Sequence, residues 1–155
     1  MADQLVDFLR TKKEQAPRPE MDWQAKRDAW VGSVKSLYER VKEMLRDSIA
    51  SEDVMVSTFD IEVTEDFIGT YSIPALKLTV GTERVEFLPK GVTIIGAAGR
   101  VDIRGERDAV TLIKDSADVD SGWAVVLQRV PNRKTVPLDR ESLRNALEQV
   151  MLPLP

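Results

Sequence analysis

From Met21 to about Ser48 one pattern holds. Trp23, Trp30, Leu37 and Met44 recur every seven residues, Val34 and Val41 fall between them, and Leu45 lies beside the row. No proline and only Gly32 interrupt the stretch. This spacing gathers the apolar side chains on one stripe of a helix, while Lys35, Glu39, Lys42 and Glu43 keep the other faces polar. A stripe this short reads as a seam facing a core rather than as a coiled-coil dimer. Tyr38 sits beside the seam. Upstream, Leu5, Phe8 and Leu9 take helical spacing in DQLVDFLRTKKEQ, which predicts a short amphipathic helix. APRPE ends it, because Pro17 and Pro19 disfavour helix at and before them.

Beyond residue 53 the period falls from about 3.6 to 2. Val54 and Val56 alternate, then Phe59, Ile61 and Val63, with an irregularity expected at Ser57–Thr58. Tyr71 and Ile73 are followed by Leu76, Leu78 and Val80; Pro74 between them predicts an edge position or a bulge. Val85 with Phe87, then TIIG, RVDIR, VTLI and GWAVVLQRV supply further strands, separated by short Gly, Pro and Asp turns. Parallel crossovers need about a dozen residues or more, so these connections predict an antiparallel meander of about six to seven strands. PLDRESLRNALEQVM closes the chain as a helix. Asp139 is its expected N-cap, and Leu143, Ala146, Leu147, Val150 and Met151 are its buried stripe.

The fold class expected is therefore α+β. Two N-terminal helices occupy residues 1–50, the sheet 53–137 and a C-terminal helix 139–152, all in one domain of 155 residues with the helices on one sheet face.

Composition narrows the chemistry. The chain has no Cys and no His, which removes thiolate nucleophiles, disulfides, Cys/His metal sites and Ser-His-Asp triads. The N-terminal segment carries Asp3 and Asp7 and lacks a signal-peptide pattern, and no apolar run approaches the roughly 20 residues of a membrane span. A cytoplasmic protein without membrane contact is expected. The net charge of −4 speaks against a dedicated nucleic-acid binder. Charge is also uneven. Residues 1–50 hold 10 basic and 9 acidic groups, residues 51–155 hold 12 and 17, and no Lys or Arg falls between Asp47 and Leu76.

The stretch GVTIIGAAGRVDIRG, Gly91 to Gly105, invites a nucleotide-loop reading. That motif needs a helix after the glycines, with its N-terminus facing the phosphates. Val101 and Ile103 alternate with Arg100, Asp102 and Arg104 instead, which is a strand. Gly96 and Gly99 then serve a tight turn by adopting angles that a side chain forbids. In DSADVDSG, Asp115, Asp118 and Asp120 have uneven spacing and no distal Glu, which fits a turn better than a calcium loop.

GRVDIRGERDAVTLIK, Gly99 to Lys114, resembles the core hairpin of restriction-endonuclease-like nucleases. That resemblance implies Asp102 as a magnesium-binding aspartate and Lys114 as the lysine that activates water. Leu112 stands where the pattern has a carboxylate, so Glu86 or Glu83 would have to supply it. The simpler reading is a solvent-facing strip of Arg100, Asp102 and Arg104 with cross-strand ion pairs. Arg129, Arg133 and Lys134 surround a later hairpin tip and, with Arg100, Arg104 and Arg107, could form a basic patch for an acidic partner or a nucleic-acid backbone, without the interleaved aromatics that stack bases. Trp123 at a strand start is either core or an interface anchor.

Two functions follow as expectations. The first is a non-catalytic, cofactor-free module that binds another protein, of the accessory, antitoxin, immunity or chaperone type. The second is a metal-dependent phosphodiesterase or nuclease using Asp102, Glu86 and Lys114. A homodimer would form through an edge strand or the long helix.

Overall fold

The computed structural model describes residues 3–15, 19–66, 68–91, 99–114, 122–128 and 134–155. Three helices lead: α1 (Gln4–Gln15), α2 (Pro19–Met44) and α3 (Arg46–Ala50). Seven strands follow: β1 (Met55–Glu65), β2 (Gly69–Val80), β3 (Glu83–Gly91), β4 (Gly99–Arg104), β5 (Ala109–Lys114), β6 (Trp123–Gln128) and β7 (Lys134–Pro137). Helix α4 (Arg140–Val150) closes the chain. The strands stand in the sheet in chain order, each antiparallel to the next. The fold is α+β, a seven-stranded meander with α2 and α4 packed on it. The helix expected to reach Ser48 breaks at Leu45, whose N–H is shared between the carbonyls of Val41 and Lys42 before α3 resumes. The TIIG strand expectation and Gly96 fall outside the described residues.

Cross-strand register sets one sheet face. Phe87 stands opposite Ile103, Val101 opposite Leu112, and Leu112 opposite Val125. All are buried, as are Trp30, Val34, Leu37 and Val41 of the α2 seam and Leu143, Ala146 and Val150 of α4. The heptad row of α2 is thus spent on the chain's own sheet. Tyr38 pins it there. Its hydroxyl donates to the Pro74 carbonyl at 2.7 Å, with the Phe87 carbonyl at 3.3 Å, and its ring meets Phe87 edge-on at 6.4 Å. Burial pushes its pKa well above the usual tyrosine value, so it stays a neutral donor.

Two glycines let the layers approach. A Cβ at Gly99 would lie 2.2 Å from the Trp30 ring, and one at Gly105 would lie 2.2 Å from the Val150 carbonyl oxygen. Gly99 therefore serves close packing of α2 on β4, and not the turn angles that the sequence suggested.

The β1–β2 hairpin runs in unbroken register from Met55 opposite Thr79 to Glu65 opposite Gly69, without the irregularity expected at Ser57–Thr58. The buried phase nevertheless switches: Tyr71, Ile73 and Ala75 are buried on one phase, Leu76 and Leu78 on the other. Right-handed twist along a long two-stranded ribbon turns its opposite face inward. β3 pairs with β2 only from Leu76 to Val80, so Pro74 lies where its missing N–H breaks no β3 bond.

Helix α4 starts as its sequence indicates. Asp139 accepts from the Ser142 N–H at 2.8 Å, and the Ser142 hydroxyl accepts from the Asp139 N–H at 2.9 Å. Arg40 of α2 donates to the Leu138 carbonyl at 2.8 Å, tying the first long helix to the last.

Candidate binding surfaces

The residues of the nuclease-like pattern do not converge. Asp102 is opposite Thr111, so it shares a phase with Thr111 on the sheet face away from the helices. Lys114 is opposite Gly99 and continues the phase of Val110 and Leu112, on the helix face. It is buried, with its ammonium 5.9 Å from the Trp123 ring. Glu86 stands between Lys77 and Arg104 in the register of three strands, and Glu83 accepts from the Leu152 N–H at 3.0 Å. Among the described residues no three carboxylates group as metal ligands would.

Asp102 is also not the solvent-facing residue expected. It is buried, and its carboxylate takes two bonds from Arg100 on the same strand, Nε at 2.8 Å and Nη2 at 3.1 Å. Thr111 adds a third at 3.2 Å. The ion pair runs along the strand, where cross-strand pairing was expected. Arg104 and Lys134 are exposed; Arg129, Arg133, Asp115, Asp118 and Asp120 lie outside the described residues. Trp123 belongs to the core: it is buried, with its ring tilted on Trp30 at a centroid distance of 5.8 Å.

A polar cluster that sequence reading missed lies between α2 and the β1–β2 hairpin. The Tyr71 hydroxyl donates to the Glu65 carboxylate, and both side chains are buried. Burial first, then the Glu65 bond and charge, push the Tyr71 pKa well above its ordinary value. Trp30 Nε1 is buried without a hydrogen bond of normal geometry, yet lies close enough to the Tyr71 hydroxyl to act in the opposite direction. Gly91 leaves room for this carboxylate, since a Cβ there would sit 2.3 Å from Glu65 Oε1. The signal was Glu65 in phase with Val63, a carboxylate on the buried side of its strand.

A groove of about 1070 Å³ opens where α2 ends and α4 passes. Its apolar lining comes from Met44, Leu45, Val80, Leu143, Leu147 and Met151, with Leu152 and Leu154 of the C-terminal tail along it. Charge flanks it on both signs: Arg140, Glu141 and Arg144 near the start of α4, Glu148 and Glu83 toward its end, with Arg107 alongside. Leu147 and Met151 belong to the predicted α4 stripe but remain only partly buried. The stripe is wider than the sheet covers, and the excess lines the groove.

Helix α1 is the second exposed apolar feature. Every side chain from Asp3 to Glu14 is exposed, including Leu5 at 63%, Phe8 at 57% and Leu9 at 56%. Edge strand β1 adds Met55, 69% exposed. No helix among the described residues is long and apolar enough to cross a membrane. Comparison with known proteins finds no matching family model, no similar curated protein and no similar solved structure.

Proposed function

We propose that the protein is a non-catalytic binding module whose groove beside α4 takes an amphipathic helix of a partner protein. The groove carries this reading. It is open, its apolar lining comes from three separate elements, and charges of both signs flank it. Helix-in-groove recognition uses that combination: apolar anchors at helical spacing fill the lining, and the flanking charges set direction. The chain's chemistry supports the same reading. The chain has no His or Cys, and Asp102 and Lys114 of the nuclease-like pattern lie on opposite sheet faces, which favours a binding role over that catalytic one.

A displayed library of amphipathic helices, selected on the folded protein, tests the reading. Enriched peptides should perturb the amide resonances of Met44, Leu147 and Met151 and lose binding to the Leu147→Asp variant. Peptides that map elsewhere, or a library without enrichment, would overturn it.

A further inference from the structure

We infer that the helix filling this groove is α1 of a second copy, so that two chains exchange their N-terminal helices in a two-fold dimer. The inference rests on reading the groove as a helix site and adds the identity of the occupant. Three observations carry it.

First, α1 is a helix that nothing covers among the described residues. Leu5, Phe8 and Leu9 fall at i, i+3 and i+4 and are each more than half exposed. Grooves of this class read that spacing.

Second, the charges match in one direction. The start of α1 carries Asp3 and Asp7, and its end carries Arg10, Lys12 and Lys13 with Glu14, a net positive charge. The groove offers Arg140, Glu141 and Arg144 near the start of α4, a net positive end, and Glu148 and Glu83 with Arg107 toward its end, a net negative one. Laying α1 parallel to α4 sets opposite net charge together at both ends, and the reverse orientation sets like net charge together.

Third, α1 cannot reach the groove of its own chain. α2 separates them, and at 1.5 Å per residue its 26 residues span about 39 Å. The three residues joining α1 to α2 extend at most about 14 Å, and α1 from Gln15 back to Leu5 adds about 15 Å. A second copy faces no such limit. Each chain offers one helix and one groove, so reciprocal exchange satisfies both and closes the assembly.

Sedimentation velocity on three proteins tests this: the full chain, the double variant Phe8→Asp/Leu9→Asp, and Leu147→Asp. Phe8 and Leu9 are exposed in the single chain, so their replacement leaves the fold intact by circular dichroism. The full chain should be a dimer at about 100 μM, with a dissociation constant raised at least about a hundredfold by either variant, as for anchors of an interface. Mixing the two variants is the decisive arm. One keeps a groove and the other keeps a helix, so the mixture should regain a dimer that neither forms alone. A full chain that stays monomeric to about 1 mM, or a dimer that persists in the Phe8→Asp/Leu9→Asp variant, would overturn the inference, because the latter places the contact at edge strand β1. Selected helices that still bind the groove of a monomeric chain would leave the helix-binding reading standing and remove only α1 as its occupant.

Discussion

Helices α1 and α2 carry the same kind of signal and meet opposite fates. Both repeat apolar residues at helical spacing, and both follow or precede the same proline pair. In α2 the row of Trp30, Val34, Leu37 and Val41 is buried against the sheet, while in α1 Leu5, Phe8 and Leu9 stand in the open. The difference lies in what surrounds each row. α2 also carries Tyr38, whose hydroxyl reaches β2, and Arg40, which reaches the end of β7, so polar bonds fix it at the sheet. Among the described residues α1 has only local bonds, such as Thr11 to the Asp7 carbonyl. Periodicity establishes that a helix has an apolar face. It does not establish which surface covers that face, and the covering partner decides whether the residue supports folding or binding.

Paired truncations break the comparison most sharply. Leu37→Ala in α2 removes a fully buried side chain from a close-packed layer and should cost about 2–5 kcal/mol. Phe8→Ala in α1, measured where the chain is dilute and monomeric, should stay within about 0.5 kcal/mol because the ring has no covering layer to lose. Urea unfolding followed by tryptophan emission gives both numbers. Equal costs would mean that α1 packs on its own chain in solution and that the contrast is wrong.

A second comparison sets the two sheet faces against each other at β4. Val101 and Ile103 face the helices; Arg100 and Asp102 face away, yet Asp102 is buried too. Asp102→Asn keeps the shape but removes the charge that receives both Arg100 bonds. A surface strip would absorb this within about 0.5 kcal/mol. The buried clamp should lose about 1–3 kcal/mol, discounted toward the lower end because Arg100 keeps a third of its side chain in water. The thermal midpoint should fall by the same amount with and without millimolar Mg²⁺. A magnesium-dependent rise in the wild type that Asp102→Asn abolishes would restore the nuclease-like reading.

These particulars show what the chain discloses before folding. Period-2 runs located the strands because alternating burial is a local property. Asp139 and the stripe of α4 were legible because a cap and its helix lie within one turn of each other. Pro74 announced its half-edge position through its missing donor. The positions of Asp102 and Lys114 depended on register. The turn after Arg104 pairs Asp102 with Thr111, which leaves Lys114 in phase with Val110 and Leu112. That phase was readable from the apolar run alone, had Lys114 been counted as its continuation. Burial of Asp102 was not readable, since a charged residue on the outward phase usually stays wet. The phase switch of the β1–β2 hairpin was equally hidden, because twist accumulates over the whole ribbon and no single residue encodes it. The groove and α1 were each visible as half of a pattern, a stripe too wide for its sheet and a helix without cover.

Acid sharpens the contrast between the anchored helices. α4 is held by two carboxylates whose pKa values lie below the ordinary 3.8. Asp139 is lowered first by the Ser142 backbone N–H, and Asp108 first by the Gln149 side chain and then by the Ala109 N–H. A folded-state pKa below the unfolded one stabilises the fold fully above the ordinary value, and the contribution fades as pH falls through the folded value. α2 is anchored to the sheet by the Tyr38 hydroxyl, whose pKa burial raises, and by the bond from Arg40 to the Leu138 carbonyl. Amide exchange near pH 3 should therefore rise first in the opening turn of α4, at Ser142 and Leu143, and in its last turn near Gln149. Val34 and Leu37 should keep their protection until the sheet itself unfolds. Asp139→Asn, which caps without titrating, should remove the acid sensitivity of the opening turn and leave that of the Asp108–Gln149 end in place. Simultaneous loss of protection in α2 and α4 would mean that the two helices open as one cooperative unit and that the caps do not set the order.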